Sequence, residues 1–566
     1  MTRRRRPKGV AIFLALAGLV AGDVTALAAP TFDVAVGLAG RVVPDRLAPI
    51  YLTPVDLPSG AVRLRVTQNV GNAWRGETTM SFEVPLAPFD RGDFEEVIPL
   101  YAAALPLRLE LLSADGRRLA GREIELRSRR VDAPFPVGVG AFSTLLHDQA
   151  AFLSSAELPR KWSAYDAAES VWIGRTRGGL DGDQWDALAR WVLSGGSLVV
   201  FTGADFFLLD APRLRDLLPV ANPTLAERGD GSRVLAGDLR RDATVLATKA
   251  KAPWLIERRY GSGNVLLVTT DALAVDAADL LEIQSHVVSA GALSLAGTAS
   301  DLLDLQPIDH PSRWVAALLV VLAVITLPAV IRSKGHRSST PVLCAAFAAF
   351  ALFSWVYTDS AQVESDVYRT EADVSIEGSL GVSVSCSALV SASRQPVTAN
   401  VGVDSIPCEP LPRSVESGSR DMAYRDGAAQ ITLVPGERRF LTTRSDVPVH
   451  LRARLDGDEE LRLANREPRK IADALLLVDG EAFVLPPLEP GESTIYLANP
   501  SSGRTYSLGP EGGSLDRLLA AAASFLSLGR GVWLVAGEIT ETKRTEGGIR
   551  TRVRDVSLYI AEVGRD

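Results

Sequence analysis

The stretch QWDALARWVLSGGSLVVFTG, Gln184 to Gly203, decides how the middle of the chain is read. Trp185, Leu188, Ala189 and Val192 fall at i, i+3, i+4 and i+7, the stripe of an amphipathic helix. Gly195 and Gly196 stop that helix, since glycine adopts the backbone conformation that a helix end requires. Ser197 to Phe201 then runs apolar without alternation, as a strand buried on both faces does. A helix leading into such a strand is the repeat of a parallel sheet. Val137 to Phe142 and Val171 to Gly174 read as earlier strands. Trp254 to Glu257 and Val265 to Thr269 form a later pair, joined through Tyr260, Gly261, Ser262, Gly263 and Asn264 as a hairpin. That loop has no helix behind it to hold a phosphate. The expected α/β unit covers residues 137–305.

On either side the period changes to two. Val62, Leu64 and Val66 alternate with Arg63, Arg65 and Thr67, and Leu107, Leu109 and Leu111 repeat the pattern, so a β-sandwich is expected over residues 30–131. A Pro-containing linker, Val131 to Pro136, follows it. In the C-terminal part Val382, Val384, Cys386, Ala388 and Val390 share one face, with Ser383, Ser385 and Ser387 on the other. Further strands at Val397 to Val403, Leu475 to Val478, Ala482 to Leu485, Thr494 to Leu497, Val532 to Ala536 and Val556 to Ala561, with one helix at Leu515 to Leu526, make residues 365–566 a β-rich region. The expected fold class is multidomain α/β plus β. A chain of 566 residues is too long for one core, which agrees.

Two apolar segments and a basic N-terminus add a location. Arg3 to Arg6 with Lys8 precede Val10 to Leu19, the order of a signal peptide, and Ala26, Leu27 and Ala28 offer a cleavage site that ends it at residue 28. Trp314 to Ile331 and Val342 to Tyr357 carry no charge and read as a transmembrane hairpin over residues 314–357. Between them Arg332, Lys334 and Arg337 stand without an acid, while Asp304, Asp309, Asp359, Glu364 and Asp366 lie outside. The positive-inside rule puts that connector in the cytoplasm. The expectation is a protein of the bacterial cytoplasmic membrane, in contact with the lipid bilayer, with both large regions on the extracytoplasmic side. In an oxidising compartment Cys386 and Cys408 are expected to form a disulfide. The net charge of -8, with no concentrated cationic face, argues against nucleic acid.

The α/β unit resembles the glutamine-amidotransferase-like domains of bacterial membrane proteins, a group that includes the auxiliary component of the gliding-motility ABC transporter. The likeness rests on LPRKWSAYDAAESVWIG (Leu158 to Gly174), on Gln184 to Gly203, and on YGSGNVLLVTTD (Tyr260 to Asp271). The whole arrangement resembles uncharacterised bacterial envelope proteins, to whose C-terminal region Leu463 to Ser493 is similar. In amidotransferases the turn matching Thr202, Gly203, Ala204 and Asp205 carries the nucleophilic Cys. Here it has none, and Cys344, Cys386 and Cys408 lie elsewhere. Acyl transfer needs an activated nucleophile beside a base, and neither His147 nor His286 has a nucleophile near it in sequence. No His or Cys pair has metal-ligand spacing, so neither metal nor cofactor is expected.

Ligands of open α/β sheets bind beyond the carboxyl ends of the strands, which makes Arg175, Thr202, Asp205 and Asp271 the candidate crevice residues. The competing reading is that Asp205 and Asp271 cap a turn or a helix. The expected function is a non-enzymatic membrane-anchored envelope scaffold or binding protein with an envelope protein partner, such as an ABC-type transporter. The alternative is a hydrolase or transferase using the crevice on a peptide or carbohydrate group.

Overall fold

The computed structural model describes residues 32–287, 367–496 and 532–565, apart from connectors of which 55–61, 87–93, 143–149, 202–211 and 403–421 are the longest. Seven strands come first: β1 (Phe32–Val36), β2 (Arg46–Pro54), β3 (Val62–Asn72), β4 (Gly76–Leu86), β5 (Phe94–Leu100), β6 (Leu107–Ser113) and β7 (Arg118–Ile124). β1, β2 and β5 form a three-stranded sheet, while β4, β3, β6 and β7 lie in that order within a larger one. Their inward residues, among them Ile50, Leu64, Phe82 and Leu109, share one core.

The middle region contains β8 (Phe135–Val139), β9 (Ala151–Leu153), β10 (Ala168–Ile173), α1 (Gly182–Leu193), β11 (Ser197–Phe201), α2 (Pro212–Leu217), the hairpin β12 (Val220–Glu227) and β13 (Arg233–Leu239), then β14 (Ala243–Lys249), β15 (Ala252–Tyr260), β16 (Gly263–Val268) and α3 (Ala277–His286). The sheet runs β14-β15-β16-β11-β10-β8-β9. Its β9, β8, β10, β11 and β16 are parallel, and β15 and β14 extend it antiparallel. Counted along the chain, the parallel part has the order 2-1-3-4-5 of a doubly wound sheet. Each strand therefore packs on both faces. Val171, Ile173, Leu198 and Val200 join one core, and Trp172, Val199, Phe201 and Leu266 join another beneath α3.

α1 starts at Asp181, whose side chain accepts from Gln184 N while Gln184 Oε1 accepts from Asp181 N. This reciprocal cap satisfies amides that a helix start leaves open. The helix ends at Ser194, and the β15–β16 turn docks there, Ser262 N donating to Leu193 O (3.0 Å). Besides the stripe at Trp185, Leu188, Ala189 and Val192, the residues Ala187, Trp191 and Leu193 are also buried. A helix apolar nearly all round must be covered on more than one side.

One cover is the segment around Tyr165, whose ring lies 5.6 Å from that of Trp191; the other comes from the C-terminal part: β17 (Val367–Glu377), β18 (Gly381–Ser391), β19 (Val397–Gly402), β20 (Met422–Arg425), β21 (Ala428–Leu433), β22 (Arg438–Val447), β23 (Leu451–Asp456), β24 (Glu460–Asn465), β25 (Asp473–Val478), β26 (Glu481–Leu485), β27 (Gly491–Tyr496), β28 (Val532–Glu546) and β29 (Ile549–Arg565). A ten-stranded sheet is built around β29, which pairs parallel with β17 and then with β23. Val374, Val384, Trp533 and Leu558 of this sheet share one cluster with Trp185, Leu188, Val137 and Ile173. β20 pairs parallel with β4, setting Met422 beside Met80 and Tyr424 beside Phe82. Through β20, β21 and β19 the N-terminal sheet grows to seven strands. Glu83 lies within 3.6 Å of Arg63, Arg65 and Arg425, which ties that seam with charge.

These observations correct the expected architecture. The described chain is mostly β, with twenty-nine strands and three α-helices, and its sheets cross the expected domain limits. The membrane expectation is corrected too: among the described residues no helix is long and apolar enough to cross a membrane. The longest, α1, has 12 residues, against about 20 for a span. The expected envelope location rested on that hairpin and is corrected with it. The segments Trp314 to Ile331 and Val342 to Tyr357, the signal segment, Cys344 and Cys408 lie outside the described residues.

Candidate functional site

In a 2-1-3-4-5 sheet the binding crevice opens at the switch point, here between the carboxyl ends of β8 and β10. Those ends are stitched together. Ala141 N donates to Arg175 O (2.8 Å), Arg175 N to Ala141 O (3.3 Å) and Gly174 N to Val139 O (3.0 Å). Two glycines allow the approach, since a Cβ at Gly140 would stand 2.5 Å from Arg175 O and one at Gly174 2.8 Å from Ala141 O. Gly140 also has φ +95°, a conformation that favours glycine. Phe142 packs beyond the stitch, its ring centroid 5.8 Å from Phe152 and 5.7 Å from Phe201. The Thr176 hydroxyl is buried beside it without a hydrogen-bond partner among the described residues.

Of the four candidate crevice residues, Arg175 has an exposed side chain at this stitched end. Asp271 follows β16 and caps a 3₁₀ turn, Oδ1 accepting from Leu273 N at 3.0 Å. β11 separates β10 from β16, so strand spacing alone puts Arg175 and Asp271 about 10 Å apart. Thr202 and Asp205, with His147, lie outside the described residues. His286 is the last residue of α3, and its carbonyl accepts from Asn264 Nδ2 at 3.0 Å. Cys386 is buried, with Sγ 3.4 Å from Thr442 Oγ1.

A different cluster forms around Leu158 to Asp166. Glu95 Oε2 accepts from Arg160 N (3.0 Å), Glu95 Oε1 accepts from Lys161 N (3.2 Å), and Lys161 Nζ pairs with Glu96 (2.7 Å). Burial lifts the Glu95 carboxyl above its usual range, with the two amides and both cations opposing it. Tyr165, fully buried, donates to Pro159 O (2.9 Å) and lies 5.6 Å from the Trp191 ring of α1. Asp166 collects partners from two other regions of the chain. Arg444 Nη1 of β22 lies 2.6 Å from its Oδ1, Arg46 Nη1 of β2 lies 3.6 Å away, and Leu47 N donates to Oδ2 (3.0 Å). Burial alone would raise this carboxyl, but Arg444, Arg46 and the Leu47 amide hold it below the usual carboxylate range. Arg444 also stands 5.9 Å from the centre of the Trp162 ring, a cation–π contact. The role of Asp166 emerges only in the fold, because its partners lie on β2 and β22.

The class defined by this geometry is a β-rich assembly closed around a doubly wound sheet, with a charged joint where its three parts meet. No family model matches the chain, and no curated protein matches it either. Among solved structures it is similar to cytoplasmic protein STM3548 from Salmonella typhimurium, at 11% identity over 27% of this chain and 99% of that one, with a TM-score of 0.22. It is similar also to cytoplasmic protein STM1381 from Salmonella typhimurium LT2, at 14% identity over 27% of this chain and 94% of that one, with a TM-score of 0.20. Nothing in these matches supports the amidotransferase-like resemblance.

Proposed function

We propose that the chain is a non-enzymatic scaffold or binding protein in which the doubly wound unit is a packing module. The observation that supports this reading most directly is the stitched switch point, because where such sheets part to receive a ligand the backbones that follow β8 and β10 are hydrogen-bonded to each other. The segment that carried the family resemblance is committed to docking, through Glu95, Glu96 and Asp166. Surfaces outside this unit then present the protein to a partner protein. The test is made on the purified full chain. Incubation with glutamine should release no ammonia above buffer, and cross-linking in its own cells should trap one neighbouring protein in stoichiometric amount. Glutamine turnover that disappears in Thr202→Ala would overturn the proposal.

A further inference from the structure

A second polar cluster lies on the face of the ten-stranded sheet that turns away from α1. Register fixes its layout. Ser445 of β22, Ser383 of β18, Ser375 of β17 and Tyr559 of β29 stand side by side in one row. Ser385, Asp373 and Ser557 stand side by side in the next. Adjacent strands lie about 4.8 Å apart and side chains alternate faces, so both rows present oxygens to the same side at a fixed spacing. They line a cavity of about 200 Å³. Ser375 and Ser383 at its floor are only 7% and 6% exposed.

The cavity opens where the sheet is interrupted. β17 ends at Glu377 and β23 begins at Leu451, both running parallel to β29. The Glu377 carboxylate bridges the gap, Oε2 accepting from His450 N (2.9 Å) and Leu451 N (2.6 Å). Its Oε1 is buried without a hydrogen-bond partner among the described residues. At the mouth, His450 Nδ1 and Glu467 Oε1 are 2.8 Å apart, and Arg466 N donates to His450 O (2.8 Å), fixing the open end of the β23–β24 hairpin. The His450 ring meets Tyr559 edge to face at 6.3 Å, which supplies one aromatic wall.

The chemistry of the lining selects a ligand. Asp373 and Glu467, with no Lys or Arg among the described lining residues, disfavour phosphate and carboxylate ligands. Hydroxyls on most of the wall disfavour an apolar one. Among the described residues no three His, Cys, Asp or Glu side chains converge as metal ligands, so a bare divalent ion is not matched either. Serine and tyrosine hydroxyls both donate and accept, and so do the hydroxyls of a polyol. A carboxylate accepts from two neighbouring hydroxyls, and an aromatic wall covers the C–H side of a sugar ring. The volume is below the ~300 Å³ at which drug-sized sites begin, which suits a single ring. We infer that this cavity is a binding site for one neutral polyhydroxylated unit, a monosaccharide or the end of a saccharide chain. The site stands apart from the scaffold reading and does not depend on it.

The experiment is saturation-transfer NMR on the full chain with glucose, galactose, mannose and N-acetylglucosamine at millimolar concentration. At least one sugar should receive saturation and titrate to a plateau. Asp373→Asn and Ser383→Val should each weaken it at least tenfold, with Ser557→Ala, half-exposed on the same rows, as the milder variant should Ser383→Val not fold. Ser285→Ala on α3 should leave binding unchanged. The inference is overturned if no sugar of the panel receives saturation. It is overturned equally if binding persists in folded Asp373→Asn and Ser557→Ala, or if spermidine or inorganic phosphate displaces the sugar.

Discussion

Two carboxylates cap strand amides inside this protein, Asp166 at the joint of its three parts and Glu377 at the break in the ten-stranded sheet. Asp166 accepts one amide and has two guanidiniums within 3.6 Å. Glu377 accepts two amides and, among the described residues, has no cation as a hydrogen-bonding or ion-pair partner. Burial raises Glu377 to about 7, its two amides opposing and the charge of Glu467 adding to the rise. At Asp166 the cations reverse the same burial effect. Amide capping therefore does not decide the ionisation of a buried acid here. A cation does, and its presence separates a joint that is permanently ionised near neutral pH from a group that titrates there.

Asp166 carries the largest expected effect. Replacing it with Ala leaves Arg444 and Arg46 without their shared buried partner and Leu47 N without an acceptor, and removing one member of a buried pair typically costs about 3–5 kcal/mol. The urea midpoint of Asp166→Ala should fall accordingly. A loss below about 1 kcal/mol would mean that the joint is hydrated and contributes little. Asp166 has a depressed folded-state value, so its contribution is present above the unfolded value of about 3.9 and fades as pH falls through the folded one.

Glu377 carries the opposite sign. Its folded-state value lies above the ordinary 4.5, so the folded protein holds the proton more tightly between about 4.5 and 7. That contribution is complete below about 4.5 and is lost as pH rises through about 7. Glu377→Gln keeps an oxygen for the His450 and Leu451 amides and removes the charge. The gap from 4.5 to about 7 sets a ceiling of roughly 3 kcal/mol. The variant should gain stability over the native protein above pH ~7.5 and match it near pH ~4.5. Denaturation curves at the two pH values check this, and an equal difference at both would show that Glu377 does not titrate in the folded protein.

Much of the local pattern was legible in the sequence. The alternation of Val382, Val384, Cys386 and Ala388 with Ser383, Ser385 and Ser387 marks a core face and a polar face, and the structure places the first set in the core. The stripe on α1 was legible too, while the burial of Ala187 and Trp191 was not: Trp191 packs on Tyr165, and the cluster that holds both residues takes in a sheet formed some two hundred residues later. Period-two runs report which face is buried and say nothing about partners. Nothing around Met80 or Met422 announces that β4 and β20 pair parallel. The Asp166 joint, read as part of a family motif, has the same cause: Leu47 lies 119 residues away, and Arg444 lies in the other half of the chain. His450 and Glu467 do not have ligand spacing, and only the β23–β24 hairpin brings them together.

The smallest expected effect sharpens the contrast at the same interface. Arg190 of α1 reaches Asp446 of β22 at 3.1 Å, two residues along the strand from Arg444, but the Asp446 side chain is 54% exposed where that of Asp166 is 9% exposed. Both pairs join the doubly wound unit to the ten-stranded sheet, so they differ mainly in access to water. Exposed pairs gain little because water already solvates both charges and salt screens them, and typical coupling is about 0.2–1 kcal/mol. A double-mutant cycle with Arg190→Ala and Asp446→Ala should therefore give a coupling energy within that range, falling further with added salt. The single Arg190→Ala change should cost more than Asp446→Ala, because the Arg190 Nε is buried and its stem packs at the interface. A coupling near that expected of the Asp166 joint, insensitive to salt, would show that Asp446 is shielded in solution and that exposure does not distinguish the two pairs.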